Sequence, residues 1–286
     1  MPSFLQVLIL AVVQGLAELL PVSSSAHVVV AEKLMGLDPS APEMTLLLVM
    51  LHTGTMFAVI LYFWKTWHDT YFRSAYVAKE VGVLLVLATV ITGVIGEVLI
   101  KLIEKVALRS SPVAEVEQLF GRLELIAPAL AAAGILILVA GVAERKRQAQ
   151  PVALGARQAG LIGAVQGLCL PFRGFSRSGA TISTGMLAGV PKDQVEKFSF
   201  ALAVLLTPAA IGREALRLFK TAHGSGMGAF ATPIAPSLLG AALAFLAGLV
   251  ALKWLSRWLE TGRWYLFGIY CLVASVVVAA LHFNGY

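Results

Sequence analysis

The chain has 286 residues, 58% of them hydrophobic and 13% charged, with a formal net charge of +6. Soluble domains carry roughly a quarter charged residues, so this composition, with a mean hydropathy of +0.84, excludes a disordered chain, a fibrous repeat and an ordinary soluble enzyme. What remains is a polytopic membrane protein, in which a basic excess reports loop orientation rather than a nucleic-acid partner.

In chain order, the first apolar segment (4–35) is not one span. A helix-length stretch is broken by Pro21-Val22-Ser23-Ser24-Ser25-Ala26-His27 and resumes only briefly. No Lys or Arg precedes Lys33, so the charged start of a cleavable signal is missing. Three runs long enough to cross a bilayer follow at 45–64, 81–100 and 126–142. A second broken segment covers 156–190, interrupted by Pro171-Phe172-Arg173-Gly174-Phe175-Ser176-Arg177-Ser178. Three more spans close the chain at 198–219, 236–253 and 264–283. Aromatic residues at span ends, among them Trp64, Trp67, Trp264 and Tyr265, read as an interfacial belt. Cys169 and Cys271 lie in apolar surroundings without metal-site spacing and read as buried packing residues.

The broken segments resemble each other. Val13-Gln14-Gly15-Leu16 recurs as Val165-Gln166-Gly167-Leu168, and the same spacing sets Ser24 over Ser176. An odd number of spans separates the copies, so the second enters from the opposite face. The expected fold is therefore all-α: about six transmembrane helices and two re-entrant helical hairpins in an inverted-topology repeat, forming a single membrane domain. Repeat one covers about 1–143 and repeat two about 155–286. Broken helices of such repeats meet near the bilayer midplane and mark a binding site. Basic residues such as Arg145, Lys146, Arg147, Lys192 and Lys197 favour the side opposite the first hairpin as cytoplasmic, with both termini outward.

Ionisable groups at membrane depth are functional candidates. Gln14 and Glu18, four residues apart, share a helical face. With Ser23, Ser24, Ser25 and His27 they gather a carboxylate, hydroxyls and an imidazole, the groups of a metal ligand or base, a nucleophile and a proton shuttle. A serine there also serves as an ordinary helix cap. The second hairpin has no carboxylate. Gly174, Ser176, Arg177, Ser178 and Thr181 instead make a glycine- and hydroxyl-rich helix start with a guanidinium, an anion site best matched to phosphate. Arg173 reads equally as a second phosphate contact or an interfacial anchor. His52 reads first as a packing residue and second as a cavity liner. Together the halves describe phosphoryl chemistry on a lipid, often assisted by a divalent cation.

Gln14-Gly15-Leu16-Ala17-Glu18-Leu19-Leu20-Pro21-Val22-Ser23-Ser24-Ser25-Ala26-His27 and Gly174-Phe175-Ser176-Arg177-Ser178-Gly179-Ala180-Thr181-Ile182-Ser183 closely resemble the two signature motifs of the bacterial undecaprenyl-diphosphate phosphatase family, the bacitracin-resistance type. The resemblance spans nearly the whole chain. It implies hydrolysis of undecaprenyl diphosphate to undecaprenyl phosphate and inorganic phosphate, recycling the carrier lipid of cell-wall synthesis, in the bacterial plasma (inner) membrane with the site open to the periplasmic side. It implies Glu18, Ser24, His27 and Arg177 as catalytic residues, with Ser24 or His27 attacking phosphorus or activating water. Ser23, Ser25, Arg173, Gly174, Ser176, Ser178 and Thr181 would hold the diphosphate, and Glu18 with Gln14 would bind Mg²⁺ or Ca²⁺. The family's first acidic position, Glu or Gln, falls on Gln14. The chain departs from the usual form at Pro171-Phe172-Arg173-Gly174, where proline ordinarily precedes glycine directly. Membrane lipid is the expected surrounding partner, and a homo-oligomer is compatible with the sequence. A transporter or flippase of an anionic polyprenyl-phosphate lipid is the alternative reading, since inverted repeats with broken helices also build transporters.

Overall fold

A computed structural model describes residues 2–107, 109, 116–147, 150–222, 234–259 and 263–286. The described residues are helical throughout, without strands. The α-helices are α1 (Phe4–Ala17), α2 (Ser24–Leu34), α3 (Pro42–Tyr71), α4 (Ala75–Ala107), α5 (Leu123–Lys146), α6 (Ala156–Cys169), α7 (Arg177–Leu187), α8 (Lys192–Ala222), α9 (Ile234–Leu259) and α10 (Trp264–Phe283). A short 3₁₀ turn, Val116–Leu119, precedes α5. Helices α3, α4, α5, α8, α9 and α10 are long and apolar enough to cross a membrane, so the chain is a multi-pass membrane protein. On α4, Val83, Val86, Val90, Val94 and Val98 recur at helical spacing and stay exposed, an apolar stripe suited to lipid.

The two broken segments fold as helical pairs of equal dimensions: α1 and α6 have 14 residues each, α2 and α7 have 11 each. The likeness of the two pairs extends to their caps. Gln6 Oε1 accepts from the Ser3 amide at 2.7 Å, and Gln158 Oε1 accepts from the Gly155 amide at 3.3 Å. Each closes an otherwise open helix N-terminus. The halves also exchange partners, with α1 packing on α9 of the second half and α6 on α4 of the first. The close approach rests on repeat-related glycines. A Cβ on Gly15 would sit 2.5 Å from the Ala247 Cβ, and one on Gly167 would sit 2.8 Å from the Ile95 Cβ and 3.0 Å from the Thr92 carbonyl oxygen. This exchange is compatible with an inverted repeat.

The central core joins both halves through Ile137, Ile162, Phe198, Leu202 and Trp264. Two expected belt residues belong to the interior instead. Trp264 is 1% exposed and donates from Nε1 to Ser183 Oγ at 3.0 Å, and Trp67 is buried against Phe63 and its neighbours. Span-end position alone does not distinguish a ring turned to the lipid headgroups from one turned inward. Cys271 is buried, as expected, and Cys169 partly so.

Candidate active site

The two turns, 18–23 and 170–176, meet at a cavity of about 280 Å³. The N-terminal half of α3 and the middle of α8 supply Leu48, Val49, Met56, Ala203, Leu206 and Ala210 as its apolar wall. The polar floor is made by Glu18, Ser23, Ser24, Ser25, His52, Gln166, Ser176, Arg177 and Ser178, and Arg173 adds a further cation.

Glu18 is the hub. It caps the C-terminus of α1, its amide donating to Gln14 O at 2.9 Å, and its side chain is 5% exposed. Arg177 Nη2 donates to Glu18 Oε1 at 2.7 Å. Ser24 Oγ donates to Glu18 Oε2 at 2.5 Å, and Gln14 Nε2 donates to the same oxygen at 2.9 Å. The i, i+4 spacing of Gln14 and Glu18 thus acts as expected, and the carboxylate links groups 159 residues apart. Ser178 Oγ adds a second stitch between the turns, donating to Leu20 O at 3.4 Å.

Ser24 opens α2 directly after Ser23, whose φ of 65° makes it the one non-glycine residue with positive φ among those described. Such backbone costs about 1–3 kcal/mol and persists only when its surroundings hold it. His27 is part of that hold. Its Nδ1 lies 2.8 Å from Ser23 O, while its Nε2 lies 2.7 Å from Tyr270 Oη, with the two rings stacked. Since the carbonyl can only accept, Nδ1 carries the proton and Nε2 accepts from Tyr270. The structure therefore turns His27 away from Glu18 and Ser24 and places it outside the cavity lining. Ser23 Oγ lies 3.4 Å from Ser25 Oγ and caps no amide.

In the second turn Gly174 adopts φ 100°, which an L side chain rarely takes, and turns the chain back toward α7. It lies outside the cavity lining. Ser176 is a genuine N-cap, its Oγ accepting from the Gly179 amide at 3.2 Å. Thr181 sits behind the site, fully buried, donating to Arg177 O at 2.8 Å and pairing with Ser199 Oγ at 2.6 Å. It supports the helix that carries Arg177. The Arg173 guanidinium lies 4.1 Å over the Phe120 ring, a cation–π contact that keeps it at the cavity.

Two groups take larger parts than their sequence context indicates. His52 Nε2 lies 3.3 Å from Glu18 Oε2 and 3.5 Å from Ser24 Oγ. Gln166, the repeat mate of Gln14, lines the cavity, and its Oε1 is buried without a partner, as are Gln14 Oε1 and Arg177 Nη1. The repeat match itself was the signal for Gln166. For His52 the signal was weak: a lone histidine early in a span.

The donor set bears on the divalent cation that the resemblance implies. Among the described residues no three His, Cys, Asp or Glu side chains converge on a point, and Glu18 is the single carboxylate of the cavity lining. Its Oε1 is held by a guanidinium and its Oε2 accepts from two further donors. A guanidinium, a hydroxyl and an amide already hold both Glu18 oxygens, which leaves Gln14 Oε1 as the one unpartnered oxygen of the pair, so Gln14 and Glu18 alone do not make a cage for an ion.

Comparison with known proteins agrees with the geometry. The chain matches the family model described as bacitracin resistance protein BacA over residues 7–277. It is 57% identical over 282 residues to undecaprenyl-diphosphatase 2 of Acinetobacter baylyi, covering 98% of each chain. It is 34% identical over 283 residues to undecaprenyl-diphosphatase of Rhodopirellula baltica, covering 99% of each. To undecaprenyl-diphosphatase 2 of Burkholderia orbicola it is 34% identical over 279 residues, covering 93% of this chain and 92% of the other. With both turns built on the matched residues and the match running almost end to end, the chain belongs to the bacitracin resistance protein BacA family.

Proposed function

We propose that the chain hydrolyses undecaprenyl diphosphate to undecaprenyl phosphate and inorganic phosphate, acting on its substrate from within the bacterial plasma membrane. The observation that carries this reading is the Arg177–Glu18–Ser24 chain of hydrogen bonds on the floor of an apolar-walled cavity. It places a hydroxyl beside an anion-binding guanidinium and leaves lipid-compatible surface for a prenyl chain. Arg177, with Nη1 unpartnered, reaches for the phosphate being transferred, and Arg173 neutralises the other. Ser24 attacks phosphorus, oriented by Glu18. Phosphoryl transfer asks little more of a protein than positioning and charge neutralisation. The cavity takes its lining from the N-terminal half of α3 and from Phe120 before α5, which assigns it to the side of the α2–α3 connection on this reading, and the basic residues of the opposite loops favour that side as periplasmic. The repeats, about 1–143 and 155–286, would then form one membrane domain.

The test is phosphate release in detergent from a polyprenyl diphosphate with Mg²⁺. Steady release, abolished by Glu18→Gln and Ser24→Ala, supports the reading. A wild-type protein that releases no phosphate yet moves the lipid between leaflets of a vesicle would refute it in favour of a flippase.

A further inference from the structure

From the geometry around Ser24 we infer that His52 is a catalytic residue, the acceptor of the Ser24 proton; this rests on the phosphatase reading above. His52 Nδ1 lies 2.8 Å from Leu48 O. A carbonyl oxygen only accepts, so Nδ1 carries a proton, and in the neutral form of the ring Nε2 is the atom with the free lone pair. That atom faces the cavity, 3.5 Å from Ser24 Oγ and 3.3 Å from Glu18 Oε2, and has no other hydrogen-bond partner among the described residues. A contact of this length is ordinary for a resting site that tightens around substrate.

The alternatives on the same hydroxyl are less free. Glu18 Oε2 holds the Ser24 proton in the resting site, but Arg177 and Gln14 also donate to this carboxylate and lower its basicity, so it orients the hydroxyl rather than keeping its proton. His27, the imidazole nearest in sequence, is committed at both nitrogens to Ser23 O and Tyr270 Oη. His52 alone combines an available acceptor with proximity to the nucleophile and to a carboxylate that stabilises the imidazolium once formed.

In the first step Ser24 Oγ bonds to the terminal phosphorus, the bond from that phosphorus to the bridging oxygen breaks, and its electron pair leaves on the lipid phosphate. The Ser24 proton passes to His52 Nε2 and from there to the departing lipid phosphate. In the second step water gives a proton to Nε2 and its oxygen bonds to phosphorus. The Oγ–P bond breaks, inorganic phosphate leaves, and Oγ recovers the proton from His52. One water is consumed and the protein is unchanged.

The experiment measures phosphate release from a polyprenyl diphosphate by the full-length protein in detergent, for wild type and His52→Ala. A thermal shift with a polyprenyl methylenediphosphonate, whose bridging carbon cannot be cleaved, reports whether the site still binds. The expected result is a fall in kcat of about 10²–10⁴-fold, the usual scale of general acid–base work, with KM and analogue binding little changed. Added imidazole should restore kcat at least about tenfold in His52→Ala and do nothing for Ser24→Ala. A His52→Ala protein that keeps kcat within about threefold, that loses analogue binding along with activity, or that imidazole does not rescue overturns the assignment. An inactive wild type would instead overturn the phosphatase reading itself.

Discussion

On the proposed mechanism Arg177 serves two partners at once, Glu18 and the substrate phosphate, and replacing it with lysine separates them. Nη2 is spent on Glu18 Oε1 at 2.7 Å, while Nη1 is buried without a partner in a side chain that lines the cavity. A guanidinium can hold a carboxylate and a phosphate in one plane, whereas an ammonium is a single point on a flexible stem. Arg177→Lys therefore keeps the charge but gives up one charge-assisted hydrogen bond in the loaded site, worth about 1.5–3 kcal/mol. That corresponds to a loss of roughly 10–150-fold in kcat/KM. Arg177→Ala goes further. The pair is buried, with side chains 22% and 5% exposed, and removing one partner strands the Glu18 carboxylate at a cost of about 3–5 kcal/mol. Phosphate release in detergent separates the two variants, and thermal unfolding followed by cysteine accessibility should show Arg177→Ala destabilised and Arg177→Lys much less so. A lysine variant with wild-type kcat/KM would refute the two-partner argument.

Tyr270→Phe removes the hydroxyl that holds His27 Nε2 and so slackens the ring fixing the strained Ser23 carbonyl. We expect kcat to fall roughly fivefold to tenfold, the equivalent of one neutral hydrogen bond of about 1 kcal/mol, with KM unchanged; an unaltered kcat would show that the turn holds without it. Gly167→Ala drives a Cβ to 2.8 Å from Ile95 and should destabilise the α4–α6 contact by about 1–3 kcal/mol. Gly82→Ala, with open space around it, should leave the unfolding temperature unchanged or raise it. Equal behaviour of the two variants would count against the close helix approach.

Much of this arrangement is legible in the sequence because polar groups in an apolar chain stand out. The six spans follow from hydropathy, and each turn shows itself by a Pro/Ser break too polar to lie against lipid. Glu18, Ser24 and Arg177 are conspicuous for the same reason, and all three meet. What the chain order hides is which groups face one another. His27 lies three residues beyond Ser24, but its ring turns back to the Ser23 carbonyl. Its second partner, Tyr270, is 243 residues away, and nothing in an apolar helix marks that tyrosine from the rest. His52 reaches Ser24 only because α3 crosses the turn of the first hairpin. Trp67 and Trp264 show the converse error, in which composition at a span end is right for an interface and packing decides otherwise.

The two matched helical pairs carry unlike groups, with Glu18 and Ser24 in the first and Arg177 in the second. On the proposed mechanism neither half of the chain would bind and cleave a diphosphate by itself. On that reading hydrolytic competence waits for the second turn to dock on the first, after α6 and α7 have been made. A partly inserted chain is harmless to the lipid phosphates around it, and a stalled or truncated product stays catalytically silent. Coexpressed fragments divided between α5 and α6 would regain activity only by finding each other in the bilayer.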